Sequence, residues 1–290
     1  MAGITDLGAP MFIDIESLRV RYVRGPGDGA KTPVLLDSPF PESLYAYDDI
    51  WADLSEAAPL VALDLPGFGQ SESRPELMNS QAMGTFVTKV IAALGLRRVH
   101  AIGPDVGTSA LLFAASQRPD MFESLVVGSG GTDVARTGSL KDIISAASTA
   151  SFETLDGGDY AVTVLDTRAQ RQPAPFVLND YRQSYAGGRL VEAITYIRAY
   201  ATYLPVLQAA LPNIVMPVLS IWGAHDPIVL PESAEILDQA LPQTRSVVLD
   251  SGHFIWHDHP EDYAQIVLDW INDNYRTVYV LDTHPRRQRI

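Results

Sequence analysis

Short apolar runs recur along the chain at helix-length intervals, and few folds accept that rhythm. Pro33-Val34-Leu35-Leu36, Leu60-Val61-Ala62-Leu63 and Val99-His100-Ala101-Ile102 come first; Ser124-Leu125-Val126-Val127, Val218-Leu219-Ser220-Ile221 and Ser246-Val247-Val248-Leu249 follow. A strand that is apolar on both faces needs cover on both, and strands that alternate with helices form a parallel sheet. The intervening helices show in the spacing: Met83, Phe86, Val87, Val90, Ile91 and Leu94 form one stripe over Ser80 to Leu94, and Gly95 stops it. Further helices are expected over Thr108 to Gln117, Glu232 to Leu241 and Pro260 to about Tyr275. Ahead of the first buried run, Met11 to Tyr22 alternates like an opening hairpin that ends at Gly25-Pro26-Gly27-Asp28-Gly29.

The rhythm stops at Gly128-Ser129-Gly130-Gly131 and resumes after Pro212. Between them lie helical stretches rich in tyrosine (Tyr160, Tyr181, Tyr185, Tyr196, Tyr200, Tyr203) and no buried strand. The expected architecture is therefore α/β: a mostly parallel central sheet flanked by helices, built from residues 1–131 and 213–275, with an inserted helical cap over 132–212. Residues 276–290, with Arg286-Arg287-Gln288-Arg289, lack periodicity and read as a tail.

Charge narrows the function. Asp and Glu number 35 against 21 Lys and Arg, a net charge of -14, which repels polyphosphate and disfavours nucleic acid as a partner. A neutral small molecule suits this field better. There are no cysteines, so disulfides, thiolate metal sites and a cysteine nucleophile are excluded. The first eleven residues carry no basic, apolar leader, and no segment reaches the roughly 18 uninterrupted apolar residues that a membrane span needs. A cytoplasmic protein without a membrane partner is the expectation.

Chemistry concentrates at strand ends. Gly103-Pro104-Asp105-Val106-Gly107 follows one strand and opens a helix, the setting in which G-x-S-x-G makes a sharp nucleophile turn, with Asp in the serine position. An aspartate there also serves as a plain helix cap, so the pentapeptide alone leaves two readings. Asp226, in Trp222-Gly223-Ala224-His225-Asp226-Pro227, follows a later strand, and His253, in Gly252-His253-Phe254, follows the next. The order nucleophile, acid, histidine is then complete at the ends where open α/β sheets build their sites. His257 and His259, on a polar approach to Pro260, are expected to face solvent, and no carboxylates are spaced around His253 as a zinc site requires.

With these motifs the chain resembles the α/β-hydrolases of the aspartate-nucleophile branch, the epoxide hydrolases and dehalogenases, from about residue 12 to 275. Asp64-Leu65-Pro66-Gly67-Phe68-Gly69-Gln70-Ser71 resembles the loop after that family's fourth strand, and Gly252-His253-Phe254 with Pro260-Glu261 its histidine segment. The resemblance implies no metal or organic cofactor. It also implies an oxyanion hole from the N–H groups of Phe40 and Val106, although Ser38-Pro39-Phe40-Pro41 stands where His-Gly-x-Pro is usual. Dehalogenases of the branch place Trp or Arg after the nucleophile; Val106 argues against both. Epoxide hydrolases raise cap tyrosines over the nucleophile. Ile197 matches the later of these, and Tyr196 and Tyr200 on one helical stripe are the substitutes. Asp133 is a reserve for Asp226, and Tyr45, Trp222 and Phe254 are candidate substrate-binding walls.

An aspartate carries its charge at neutral pH without help, unlike a serine hydroxyl, so it can attack carbon directly. Attack on an ester would give an anhydride, whereas attack on an epoxide gives an alkyl ester that His253-activated water then hydrolyses. The expected activity is therefore epoxide hydrolysis on a neutral, aromatic or polycyclic molecule. The alternatives are a cofactor-free lyase, isomerase or cyclase using Asp105 and His253 for proton transfer, a dehalogenase, and a ligand-binding protein without turnover.

Overall fold

The structure, a computed structural model, describes residues 3–7, 9–27 and 30–277. Eight strands form one sheet: β1 (Met11–Ile15), β2 (Leu18–Arg24), β3 (Val34–Asp37), β4 (Leu60–Leu63), β5 (Val99–Pro104), β6 (Phe122–Gly128), β7 (Val218–Gly223) and β8 (Thr244–Leu249). Their order is β1-β2-β4-β3-β5-β6-β7-β8. β1, β2 and β4 pair antiparallel; every pairing from β4 through β3 to β8 is parallel. β3, β4 and β5 are buried at every position, which is why each reads as an apolar run, interrupted only by Asp37 at the end of β3 and His100 in β5.

Helices cover both faces. On one, α2 (Ser80–Ala93) and α3 (Val106–Gln117) bury Met83, Phe86, Val90, Leu111 and Phe113 with Leu35, Val61 and Leu125 of the sheet. On the other, α1 (Asp48–Ala57) and a late helix, Pro260–Asp269, bury Ile50, Trp51, Leu54, Tyr263 and Val267 with Leu36, Ala62 and Ile102. Alternate residues of one strand thus feed opposite cores, as the two-residue side-chain period of a strand demands. Gly84 lets α2 and α3 touch: a Cβ there would lie 2.7 Å from backbone atoms of Ala110 and Ala114.

Between β6 and β7 the described residues hold six α-helices and no strand: α4 (Leu140–Ser145), α5 (Ala150–Glu153), α6 (Gly157–Arg168), α7 (Pro175–Tyr185), α8 (Arg189–Arg198) and α9 (Tyr200–Ala210). After β7 come α10 (Ser233–Ala240), α11 (Ile255–Asp258) and the late helix, α12. The insertion is tied down through α7. The buried Arg21 guanidinium on β2 reaches Asp180 at 2.6 and 3.1 Å and Asp64 at 3.3 Å, while Ser43 and Gln70 donate to Asp180 at 2.6 and 2.9 Å. Burial opposes the Arg21 charge, but Asp64 and Asp180 outweigh it and raise its pKa.

The expected opening hairpin is present, and the closing helix needs correction. The hairpin turns at Glu16 and Ser17, both at positive φ (51° and 63°); the backbone twist of a tight hairpin forces that conformation, without the Asn or Gly that usually advertises it. The closing helix is α only to Asp269; the segment Trp270–Asn274 that follows is kinked at Asp273 (φ 165°, ψ -19°), and a separate short helix, Tyr275–Thr277, comes after it. The remainder of the expected tail lies outside the described residues.

Candidate active site

The sharp turn between β5 and α3 carries Asp105 at φ 53°, ψ -122°, a left-handed backbone that side chains resist. Its surroundings hold it there. The Asp105 N–H donates to the Gly128 carbonyl at 3.0 Å, and the Thr108 hydroxyl reaches the carbonyls of Gly103 and Gly128 at 3.0 and 2.9 Å. Gly130 passes so close that a Cβ there would lie 2.1 Å from the Asp105 carbonyl oxygen. The loop after β6 thus packs directly against the turn.

Around this turn the structure brings Asp105, His253 and Asp226 together, all buried. His253 Nδ1 is 2.8 Å from Asp226 Oδ2, and its Nε2 is 3.7 Å from Asp105 Oδ1. The second Asp226 oxygen, Oδ1, accepts from the N–H groups of Ile228 and Val229 at 2.7 and 3.0 Å, which fixes the carboxylate's orientation. Burial by itself would lower the His253 pKa, but the flanking carboxylates of Asp226 and Asp105 reverse this and raise it to about 10. The two flanking acids thus favour the protonated imidazole. Asp133 has another task, capping the turn Val134–Arg136 by accepting from Ala135 N–H at 3.0 Å.

The Phe40 N–H donates to Asp105 Oδ2 at 2.7 Å. Val106 is buried at the first turn of α3, directly after Asp105. Tyr196 and Tyr200 stand on two helices, α8 and α9, that break at Ala199 instead of sharing one continuous stripe. Both still converge, with rings 5.7 Å apart and hydroxyls 3.3 and 3.4 Å from Ser109 Oγ, one helical turn beyond Asp105. The Tyr196 hydroxyl also donates to the Val106 carbonyl at 3.2 Å. Burial raises the pKa of both tyrosines, so both hydroxyls keep their protons.

The expected wall residues separate. Phe254 is buried with its ring 4.9 Å from that of His253. Trp222 sits in the core, its indole N–H bonded to Ser220 Oγ at 2.8 Å. Tyr45 is half-buried against Phe176 at 6.0 Å, with the Arg21 guanidinium 5.3 Å over its ring. Aromatic contacts missed in the sequence surround Phe40 instead: Tyr185 at 5.2 Å, Phe68 at 6.2 Å and Tyr160 at 6.5 Å.

Two further buried acids border the site. Asp37, at the end of β3, has no hydrogen-bond partner on either oxygen among the described residues, and burial raises its pKa to about 8. Its one sequence signal is an ionisable residue closing an apolar run. Glu42 is buried against His257, which corrects the solvent-facing expectation: the His257 ring is enclosed, with Nε2 in close contact with Glu42 Oε1. His259 is half-buried. Among the described residues no cluster of His, Asp and Glu is arranged to hold a metal ion, and no helix is long and apolar enough to cross a membrane.

A model of the alpha/beta hydrolase fold family matches residues 32–260. The dihydrolipoyllysine-residue acetyltransferase component of the acetoin cleaving system of Cupriavidus necator is 28% identical over 278 residues, covering 92% of this chain and 70% of that protein. Haloalkane dehalogenase 2 of Mycobacterium tuberculosis is 27% identical over 267 residues, 87% of this chain and 91% of that protein. The solved structure of the epoxide hydrolase CorEH without ligand superposes with a TM-score of 0.71 at 18% identity, over 91% of this chain and 98% of that one, a likeness of fold.

Proposed function

Given that the chain belongs to the α/β-hydrolase-fold family and is a hydrolase of that family, we propose that it opens an epoxide of a neutral, aromatic or polycyclic molecule through an ester on Asp105. The observation that carries this reading is a carboxylate in the turn, with Oδ2 held by the Phe40 N–H at 2.7 Å and Oδ1 3.7 Å from His253. Oδ1 is the free oxygen. It attacks a ring carbon, the carbon–oxygen bond of the epoxide breaks, and the released oxygen takes a proton from Tyr196 or Tyr200. The helical insertion that carries both hydroxyls acts as the cap over this step.

The second step adds water. Esterification removes the Asp105 charge, one of the two that favour the proton on His253, so the imidazole passes that proton through solvent to the tyrosinate left by the first step and becomes a base. It takes a proton from water, whose oxygen bonds to the Asp105 carbonyl carbon. The developing charge falls on Oδ2, where the Phe40 N–H already points and the Val106 N–H completes the hole. Collapse releases the diol and restores the carboxylate. Asp226 stabilises the imidazolium that forms in between.

A second reading has its own support. A protonated His253 between two carboxylates, with the tyrosine hydroxyls turned toward Ser109 and Val106, also suits proton transfer without an ester. Intact-protein mass spectrometry of His253→Gln after incubation with aryl and polycyclic epoxides separates the two. A stoichiometric adduct on the Asp105 peptide, absent in Asp105→Asn, is expected, with turnover of either variant down by roughly 10³-fold or more. Turnover by the wild type without an adduct in His253→Gln sinks the ester mechanism in favour of proton transfer. Halide release from haloalkanes with the same adduct moves the substrate class to organohalides.

A further inference from the structure

Glu42 lies two residues beyond Phe40, and His257 lies four residues, about one helical turn, beyond His253. The two meet inside the protein. Glu42 Oε1 is in close contact with His257 Nε2, and the Trp256 indole N–H donates to the same carboxylate at 3.1 and 3.3 Å. Helix α7 closes the group from the insertion side: the Tyr181 hydroxyl is 3.4 Å from His257 Nε2, and the Tyr185 hydroxyl donates to the Glu42 carbonyl at 2.8 Å. All five side chains are buried. The loop carrying the Phe40 N–H, the loop carrying His253 and the insertion therefore meet around Glu42: its carboxylate holds Trp256 and His257, its carbonyl holds Tyr185, and Tyr181 reaches His257.

A buried carboxylate with several donors tolerates few arrangements, because any donor that leaves uncovers charge away from water. We propose that the Glu42–His257 pair is a clamp that holds the Phe40 N–H in register with His253, which makes both positioning residues for hydrolysis of the ester. The inference rests on the ester reading above. Formation of the ester needs Asp105 Oδ1 at the substrate carbon and a proton from Tyr196 or Tyr200, whose hydroxyls contact Ser109 and Val106 and not the Glu42–His257 pair. Hydrolysis needs two groups from two loops at once: the Phe40 N–H on Oδ2 and His253 on the water. Misplacing one relative to the other by about 1 Å slows such a step about 100-fold, while the first step is spared. His257 and Glu42 are separated by 215 positions in the chain, and this contact, with that of Trp256 on the same carboxylate, ties the two loops together.

Single-turnover mass spectrometry on Glu42→Gln and His257→Gln measures both steps. Ester formation within about 2-fold of wild type is expected, together with hydrolysis slowed about 100-fold, so that ester accumulates although His253 is intact. The double variant is expected to be no slower than the worse single variant, because both changes break one contact. Trp256→Phe removes only the indole donor and shifts the ratio of the two rates the same way by less, which keeps the test open where Glu42→Gln fails to fold. Equal slowing of both steps, or lowered thermal stability with both rates unchanged, overturns the clamp. An arm without substrate follows the far-downfield proton of the His253–Asp226 hydrogen bond and the exchange of the Phe40 amide by NMR. Both are expected to change in Glu42→Gln, and if both stay as in the wild type the clamp is overturned whatever the substrate. Absence of any adduct on His253→Gln instead counts against the epoxide reading and leaves the clamp to the NMR arm.

Discussion

Asp37 shows what a single residue does to this molecule. Its carboxyl is fully buried beneath the active turn, at a position where a Cβ on Gly107 would lie 3.4 Å from its own Cβ. Burial raises its pKa to about 8, whereas an aspartate in the unfolded chain titrates near about 3.9. Between those values the folded chain keeps a proton that the unfolded chain has lost. Stability therefore falls as pH rises through the window, by up to about 1.4 kcal/mol per pH unit, and levels off above about 8. His253 acts in the same direction over a higher range: its raised pKa stabilises the fold fully below about 6.5, and that contribution is lost as pH rises through about 10. Asp37→Asn isolates the first effect. Urea denaturation from pH 4 to pH 9 is expected to show the variant gaining on the wild type up to about pH 8 and no further; a pH-independent difference contradicts the assignment.

At the scale of elements, the turn from β5 into α3 is the least forgiving piece of backbone. Asp105 sits at positive φ only because the loop after β6 packs against it, and Gly130 is where the two backbones touch. In Gly130→Ala the new Cβ meets the Asp105 carbonyl oxygen and the Thr108 side chain, neither of which is a flexible chain end. Turnover is expected to drop at least about 100-fold, with a lowered melting temperature, whereas Gly107→Ala, which adds an ordinary contact, stays within a few-fold. Equal rates for the two variants count against this account. The elements themselves were legible: Leu60–Leu63 has the same limits in sequence and structure, and β3, β5 and β6 differ only at their ends, because strands covered on both faces are marked by apolar residues throughout. The turn at Glu16 and Ser17 was not, since its conformation is imposed by the paired strands.

Across the whole molecule, Arg21 is the anchor of the insertion. It joins β2, the loop after β4 and α7 through Asp64 and Asp180, which stand 43 and 159 positions away. Burial raises the Asp64 pKa to about 6 even with Arg21 beside it, so loss of the guanidinium strands a buried acid. Arg21→Leu is expected to lower stability by about 3–5 kcal/mol in chemical denaturation and to open α7 to proteolysis. A variant as stable and as protease-resistant as the wild type removes Arg21 from that role.

The sequence on its own determined the sheet, the helical character of the insertion and the three strand-end residues that the fold brings together, because each leaves a local mark: an apolar run, a tyrosine-rich helical stretch, a strand end with Gly beside Asp or His. The folded arrangement selected Asp226 over Asp133 as the partner of His253, turned Tyr196 and Tyr200 onto Ser109, and moved Trp222 and Tyr45 to other surroundings. It also enclosed His257, which is followed in the chain by the polar Asp258 and His259 and whose partner, Glu42, is 215 positions distant. Burial of a polar residue depends on what the rest of the chain brings to it, and that is decided when distant segments pack, not in the residues on either side.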